Sequence, residues 1–155
     1  MMLSYLQKRK VKGVFIPDTR SVAESGLTDF LRQERIPCAL LSDQTDHAVF
    51  KVAPQITVRA FRTLHLDKKY ERVKHFCYLL TFGEKNILFT ADMDYVTEDL
   101  SRLKDVRLRA AFINPLFFSV LRRGRFFHGK LNTGRICVYH VPFAEDDEMG
   151  MRGIQ

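Results

Sequence analysis

Apolar residues fall in short runs separated by polar turns, and the spacing inside each run predicts an element. Val14-Phe15-Ile16 is closed by Pro17-Asp18 and reads as a buried strand. Over residues 21–35, Ala23, Leu27, Phe30 and Leu31 recur at helical spacing among charged residues. That predicts an amphipathic helix, with Pro37 stopping its continuation. Residues 38–41 read as the next strand, and the Ser-Asp-Gln-Thr-Asp cluster after them as a turn. Residues 48–52 and 56–61 are predicted strands. In the second, Ile56, Val58 and Ala60 alternate with Thr57 and Arg59, the pattern of a half-buried sheet.

Residues 63–73 are polar and predict a loop. Residues 75–82 and 87–90 flank Gly83-Glu-Lys-Asn86 and predict a hairpin. Thr97 suits a helix N-cap with acids in the following turn. Residues 108–113 read as a strand. Asn114-Pro115 then reads as N-cap and first helical position, with Leu116, Phe117, Val120 and Leu121 as the apolar face and Gly124 as the end. Residues 135–141 predict the last strand, and the acidic residues 145–148 open a short terminal segment. Strands and helices alternate around a central hairpin run, so the class is α/β (α+β) with a mixed sheet.

The 155 residues make one domain the expectation, and 46% hydrophobic with 28% charged residues is ordinary for a globular chain. The thirteen phenylalanines read first as core. The net charge of +7 thickens between Arg102 and Arg135, which suits phosphate-bearing partners and equally suits plain solubility. No arginine-rich run, glycine-rich loop or recognition module makes nucleic acid more than an open option. Cys38, Cys77 and Cys137 are odd in number, separated in sequence and set among apolar neighbours. They predict buried free thiols in a reducing compartment rather than disulfides or a Cys-x-x-Cys metal site. The N-terminus has no signal-type apolar core and no run reaches membrane length, so a cytoplasmic protein without a membrane span is expected.

Three segments share one pattern: an apolar strand that runs into a metal-ligating side chain. Residues 56–61 lead through Arg-Thr-Leu to His65. Asn-Ile-Leu-Phe-Thr-Ala leads to Asp92, and Ile-Cys-Val-Tyr leads to His140. Ligands gathered at strand ends are how a sheet edge builds a rigid site. Each also has a plainer reading. His65 can be a solvated loop residue, Asp92 a cap for the segment starting at Met93, and His140 a hydrogen-bonding strand end. His75 reads as a sheet residue rather than a ligand, and His47 and His128 as surface residues. Tyr95 and Tyr139 flank the candidate ligands and read as pocket lining or packing.

The order and the intervening elements resemble the second half of a metallo-β-lactamase-superfamily domain. Residues 58–95 carry the likeness most clearly, and it extends over roughly residues 14–148. Phe-Thr-Ala-Asp92 resembles the family's strand ending, with alanine where glycine is usual. The resemblance implies a partial metallo-β-lactamase αββα sandwich, a mixed sheet flanked by helices, in a single domain over residues 1–155 truncated at its N-terminal side. It implies a metal-dependent hydrolase whose metal-bound hydroxide attacks an ester, amide or phosphodiester. His65 would ligate a first metal, Asp92 would bridge two and act in catalysis, and His140 would ligate the second. Zinc is the implied metal, one ion or two if further ligands are supplied, with manganese or iron as alternatives. Asp146 and Asp147 would orient His140 from behind.

The family's His-x-His-x-Asp-His motif is not in this sequence, and Asp46-His47 is its nearest remnant. Two further readings therefore stand beside the hydrolase. One is a non-catalytic fold relative whose open sheet is covered by a second copy or a partner chain. The other is a nucleic-acid-processing nuclease.

Overall fold

The computed structural model describes residues 11, 13–16, 26–39, 41, 46–65, 72–94, 98–115, 131–139, 141 and 144–146. Two strands, β1 (Val14–Phe15) and β2 (Cys38–Ala39), pair in parallel. Between them lies helix α1 (Leu27–Gln33). The main sheet holds β3 (His47–Ala53), β4 (Ile56–Thr63), β5 (His75–Phe82), β6 (Lys85–Phe89), β7 (Arg107–Ile113), β8 (Asn132–Thr133) and β9 (Ile136–Val138). Strands β3 to β6 form an antiparallel meander. Then β7 joins β6 in parallel, and both β8 and β9 pair in parallel with β7. The expected mixed sheet is what the chain builds.

Period-two alternation gives this sheet two apolar faces. On one side Val58, Ala60, Phe76 and Tyr78 pack with Phe15 of the small sheet and with Leu41 beyond it. The Tyr78 hydroxyl donates to the Ile16 carbonyl at 2.6 Å, which ties the two sheets together. On the other side Phe61, Cys77, Leu79, Leu88, Ala111 and Ile113 pack against Leu100 and Leu103. Those leucines come from a 3-10 helix, Glu98–Leu103, where the sequence predicts a helix capped by Thr97. Thr97 lies outside the described residues.

Other boundaries also differ from expectation. The second sheet strand runs two residues past Phe61, because β5 pairs with it as far as Thr63↔His75. The hairpin turn contracts to Gly83-Glu84, since Lys85 already pairs with Phe82. The last strand covers Ile136–Val138 only, and the β8 pairing was not foreseen. Helix α1 ends at Gln33 rather than at Arg35. Arg35 turns left-handed (φ 54°), so Ile36 N–H reaches Leu31 O at 2.8 Å and Arg35 N–H reaches Arg32 O at 3.2 Å. This is a Schellman stop, with Ile36 packing in the same cluster as Leu31. Residues 21–25 and the helix expected after Pro115 lie outside the described residues. The thiols are free, as predicted, but only Cys77 is buried. Cys137 is half-buried, and Cys38 is exposed on the small sheet. Among the described residues no helix is long and apolar enough to cross a membrane.

Candidate functional site

Direction, more than sequence distance, assembles the site. Strand β4 is antiparallel to β5, and β5 to β6, so β4 and β6 run the same way; β7 and β9 run with them. The C-terminal ends of four strands therefore meet at one edge of the sheet, where α/β folds place their ligands. Past β4 comes His65, past β6 the loop Thr90–Asp94, past β7 Asn114, and past β9 Tyr139. Strand β5 starts at this edge with His75.

His75 is the hub. It is fully buried, and both ring nitrogens are engaged. Asp92 N–H donates to Nε2 at 2.9 Å, so Nε2 is the unprotonated nitrogen. Nδ1–H then donates to Thr63 Oγ1 at 2.7 Å. The His75 ring thus holds the Asp92 backbone in place. It also meets the His65 ring edge-on, with centroids 5.5 Å apart. His65 pairs across to Met93 in an isolated antiparallel bridge, and Asp94 N–H donates to Leu64 O at 2.8 Å. The expected loop over residues 63–73 therefore starts as an extension of β4 that locks onto the Asp92 loop.

The Asp92 carboxylate is oriented by Asn114, whose Nδ2 donates to Oδ1 at 2.7 Å. Asn114 is itself buried, at the end of the parallel neighbour strand. Behind the loop, Cys77 Sγ donates to Thr90 O at 3.1 Å and lies 3.2 Å from Met93 Sδ. Ala91 sits at φ 47°, in the left-handed region. The Tyr139 hydroxyl bonds to the Ala91 backbone and the Thr90 side chain. Burial first, and the Asp92 charge second, push this phenol above the usual tyrosine range.

The structure thus brings His65 and Asp92 to one edge, linked through His75 and Met93. His140 directly follows Tyr139 but lies outside the described residues, as does Asp147. The Asp146 backbone belongs to a 3-10 helix, Ala144–Asp146. Among the described residues no three His, Cys, Asp or Glu side chains form a group that could hold a metal. Sequence reasoning missed what His75 and Asn114 do. His75 looked like a plain strand residue and Asn114 like a helix cap. Asn114 and Tyr139 each stand one residue past a strand, and that position was the available signal. The β4–β5 register that sets His75 opposite Thr63 has no signal in sequence.

A sheet that gathers a histidine, a buried-amide-held aspartate and a tyrosine at parallel strand ends defines a class of α+β protein that collects polar side chains at one edge. The particular fold is that of the metallo-β-lactamases. YhfI from Bacillus subtilis, a metallo-β-lactamase fold protein, superposes with a TM-score of 0.61 at 14% identity, over 99% of this chain and 74% of its own. The short form of human tRNase Z superposes at 0.51 with 12% identity, over 88% of this chain and 77% of its own. CmlA from Streptomyces venezuelae, a diiron β-hydroxylase, gives 0.52 with 18% identity, over 82% of this chain and 30% of its own. No family model and no curated protein matches the sequence.

Proposed function

We propose that the chain is the site-bearing part of a metal-dependent hydrolase of the metallo-β-lactamase fold, with His65, Asp92 and His140 as the ligand set. One observation carries this reading: Asp92 is held from two sides, its carboxylate by Asn114 and its N–H by His75, with the His65 ring against His75. A carboxylate oriented by a buried amide, beside an imidazole, is the outer support that ligating groups receive. Imidazole nitrogen and carboxylate oxygen suit zinc, with manganese and iron as alternatives, and the diiron relative has the same fold. Such an ion supplies an activated water and polarises an ester, amide or phosphodiester. The chain's own residues do the positioning. Asn114 sets the carboxylate plane, His75 fixes the loop, Tyr139 pins Ala91, and Asp146 and Asp147 are assigned to orient His140. A second ion would need ligands beyond these three.

The test is metal content by plasma mass spectrometry on protein purified without added metal, beside a His65→Ala/Asp92→Ala double variant. Near-stoichiometric metal that the variant loses is expected. A wild-type chain that takes up no ion even after zinc titration would overturn the ligand set.

The missing His-x-His-x-Asp-His pattern favours a second reading, a fold relative that binds a partner or a second copy. Edge strand β3 exposes Val49 (62%) and Val52 (44%). Metal-free protein that elutes as a dimer in light scattering would favour this reading over the first. The nuclease reading rests on the net charge of +7 and the arginines from Arg107 to Arg125, and it predicts steeply salt-dependent nucleic-acid binding.

A further inference from the structure

A cavity of about 1050 Å³ lies at the opposite edge of the main sheet from His65 and Asp92. It is formed by the β3–β4 turn, the β5–β6 turn and the starts of β7 and β8. Strand β6 separates it from Asp92. At about 3.3 Å per residue, the six positions from Asn86 to Asp92 put the two sites roughly 20 Å apart. Its volume lies just above the usual range for small-molecule pockets, roughly 300–1,000 Å³.

The lining carries three cations, Lys85, Arg107 and Arg109, against one carboxylate, Glu84. Among the described residues none of the three cations forms an ion pair or a side-chain hydrogen bond. All three are exposed at the rim. Arg107 and Arg109 are two residues apart on β7, flanking the buried Leu108. Asn86 Nδ2 donates to Arg107 O at 3.2 Å, and Gly134 N–H to Leu108 O at 3.0 Å, so the backbone under the arginines is held from both sides. Beside them Phe82 is 39% exposed and pairs with Ile56 across β5 and β4, which makes an apolar platform next to the cations.

We infer that this cavity binds a nucleoside phosphate, with Arg107, Arg109 and Lys85 on the phosphates and Phe82 under the base. Arginines with no ion-pair partner among the described residues match phosphate oxygens in a planar fork, and an exposed phenyl ring offers a stacking face that every base can use. The site works without the metal centre, so it stands or falls apart from the hydrolase reading.

The experiment is fluorescence anisotropy with a methylanthraniloyl-ADP probe in a chelating buffer. Unlabelled ADP, pyrophosphate, adenosine and a single-stranded oligonucleotide serve as competitors. Saturable, salt-weakened binding is expected, with ADP competing at least about tenfold better than pyrophosphate or adenosine. Arg107→Ala/Arg109→Ala and, at the exposed turn, Lys85→Glu are each expected to weaken the probe by at least about tenfold. Phe82→Ala should bring ADP down to the level of pyrophosphate, and His65→Ala/Asp92→Ala should bind like wild type. Thermal unfolding of each variant separates lost binding from lost fold, and Lys85→Glu decides if the double variant unfolds. Absence of saturable binding, wild-type affinity in folded Lys85→Glu, or pyrophosphate equal to ADP in the wild type would overturn the assignment. An oligonucleotide binding far more tightly than ADP would overturn it in favour of a nucleic-acid strand.

Discussion

Ala91 offers the sharpest test of the site's local physics, because a single methyl group opposes the backbone conformation there. Its φ of 47° puts an L-side chain in the left-handed region, where Cβ crowds the following carbonyl at a cost of roughly 1–2 kcal/mol. The loop accepts this because its other ties are strong. Met93 N–H closes on Thr90 O at 3.2 Å, Asp92 N–H on His75, and the His65↔Met93 bridge on the β4 extension. Glycine removes the crowding but loses more backbone freedom on folding, about 0.5–1 kcal/mol. Ala91→Gly should therefore stabilise by about 0.5–1 kcal/mol. For a chain of this size that raises Tm by about 1–4 °C. Ala91→Val adds a β-branched side chain at positive φ and should lower Tm by more than the glycine raises it. Arg35→Gly, at the exposed left-handed stop of α1, is the matched control and should also raise Tm. The assay is calorimetry with urea melts as a cross-check. A lower Tm for Ala91→Gly together with a raised one for Arg35→Gly would mean that the Ala91 methyl packs in the site, and the strain argument would fail.

Three further outcomes follow from the hydrogen-bond geometry. His75→Ala removes the partner of both the Asp92 N–H and the Thr63 hydroxyl in a fully buried position, and should cost about 3–5 kcal/mol in urea melts; a loss under about 1 kcal/mol would show that the site does not depend on this hub. Asn114→Leu leaves Asp92 Oδ1 without its amide donor and, if the proposed metal set is right, should weaken zinc binding about 10–100-fold by competition with a chelating dye, with little change for a surface control such as Lys104→Ala. Tyr139 is raised above its ordinary 10.0 in the folded chain, so its contribution to stability is complete below pH 10.0 and is lost as pH rises beyond it, while the unfolded chain ionises first. Tm should fall above that pH, and Tyr139→Phe should flatten the fall; an identical alkaline slope in both proteins would remove Tyr139 from the account.

Periodicity alone determined the strand-rich order of this chain. Residues 56–61 carry the two-residue alternation of a sheet strand and residues 75–82 a nearly unbroken apolar run up to a turn, and both patterns are local, so they survive in one dimension. The same locality placed His65 and Asp92 just past strand ends, whereas Ala91 stood out only through the resemblance to the family's strand ending. Long-range pairing decided the rest. Whether β4 stops at Phe61 or Thr63 depends on β5 supplying partners through His75. Helix α1 ends where Arg35 can turn left-handed, two residues before the proline that seemed to stop it. Most of the site is of this kind. His75 and Asn114 act on Asp92 across separations of 17 and 22 residues. No local pattern encodes such contacts, because they exist only once four strands run in one direction and their ends meet. The cavity at the far edge has the same origin: Arg107 and Phe82 are ordinary strand residues in sequence, and only the register of a folded sheet sets them around one space.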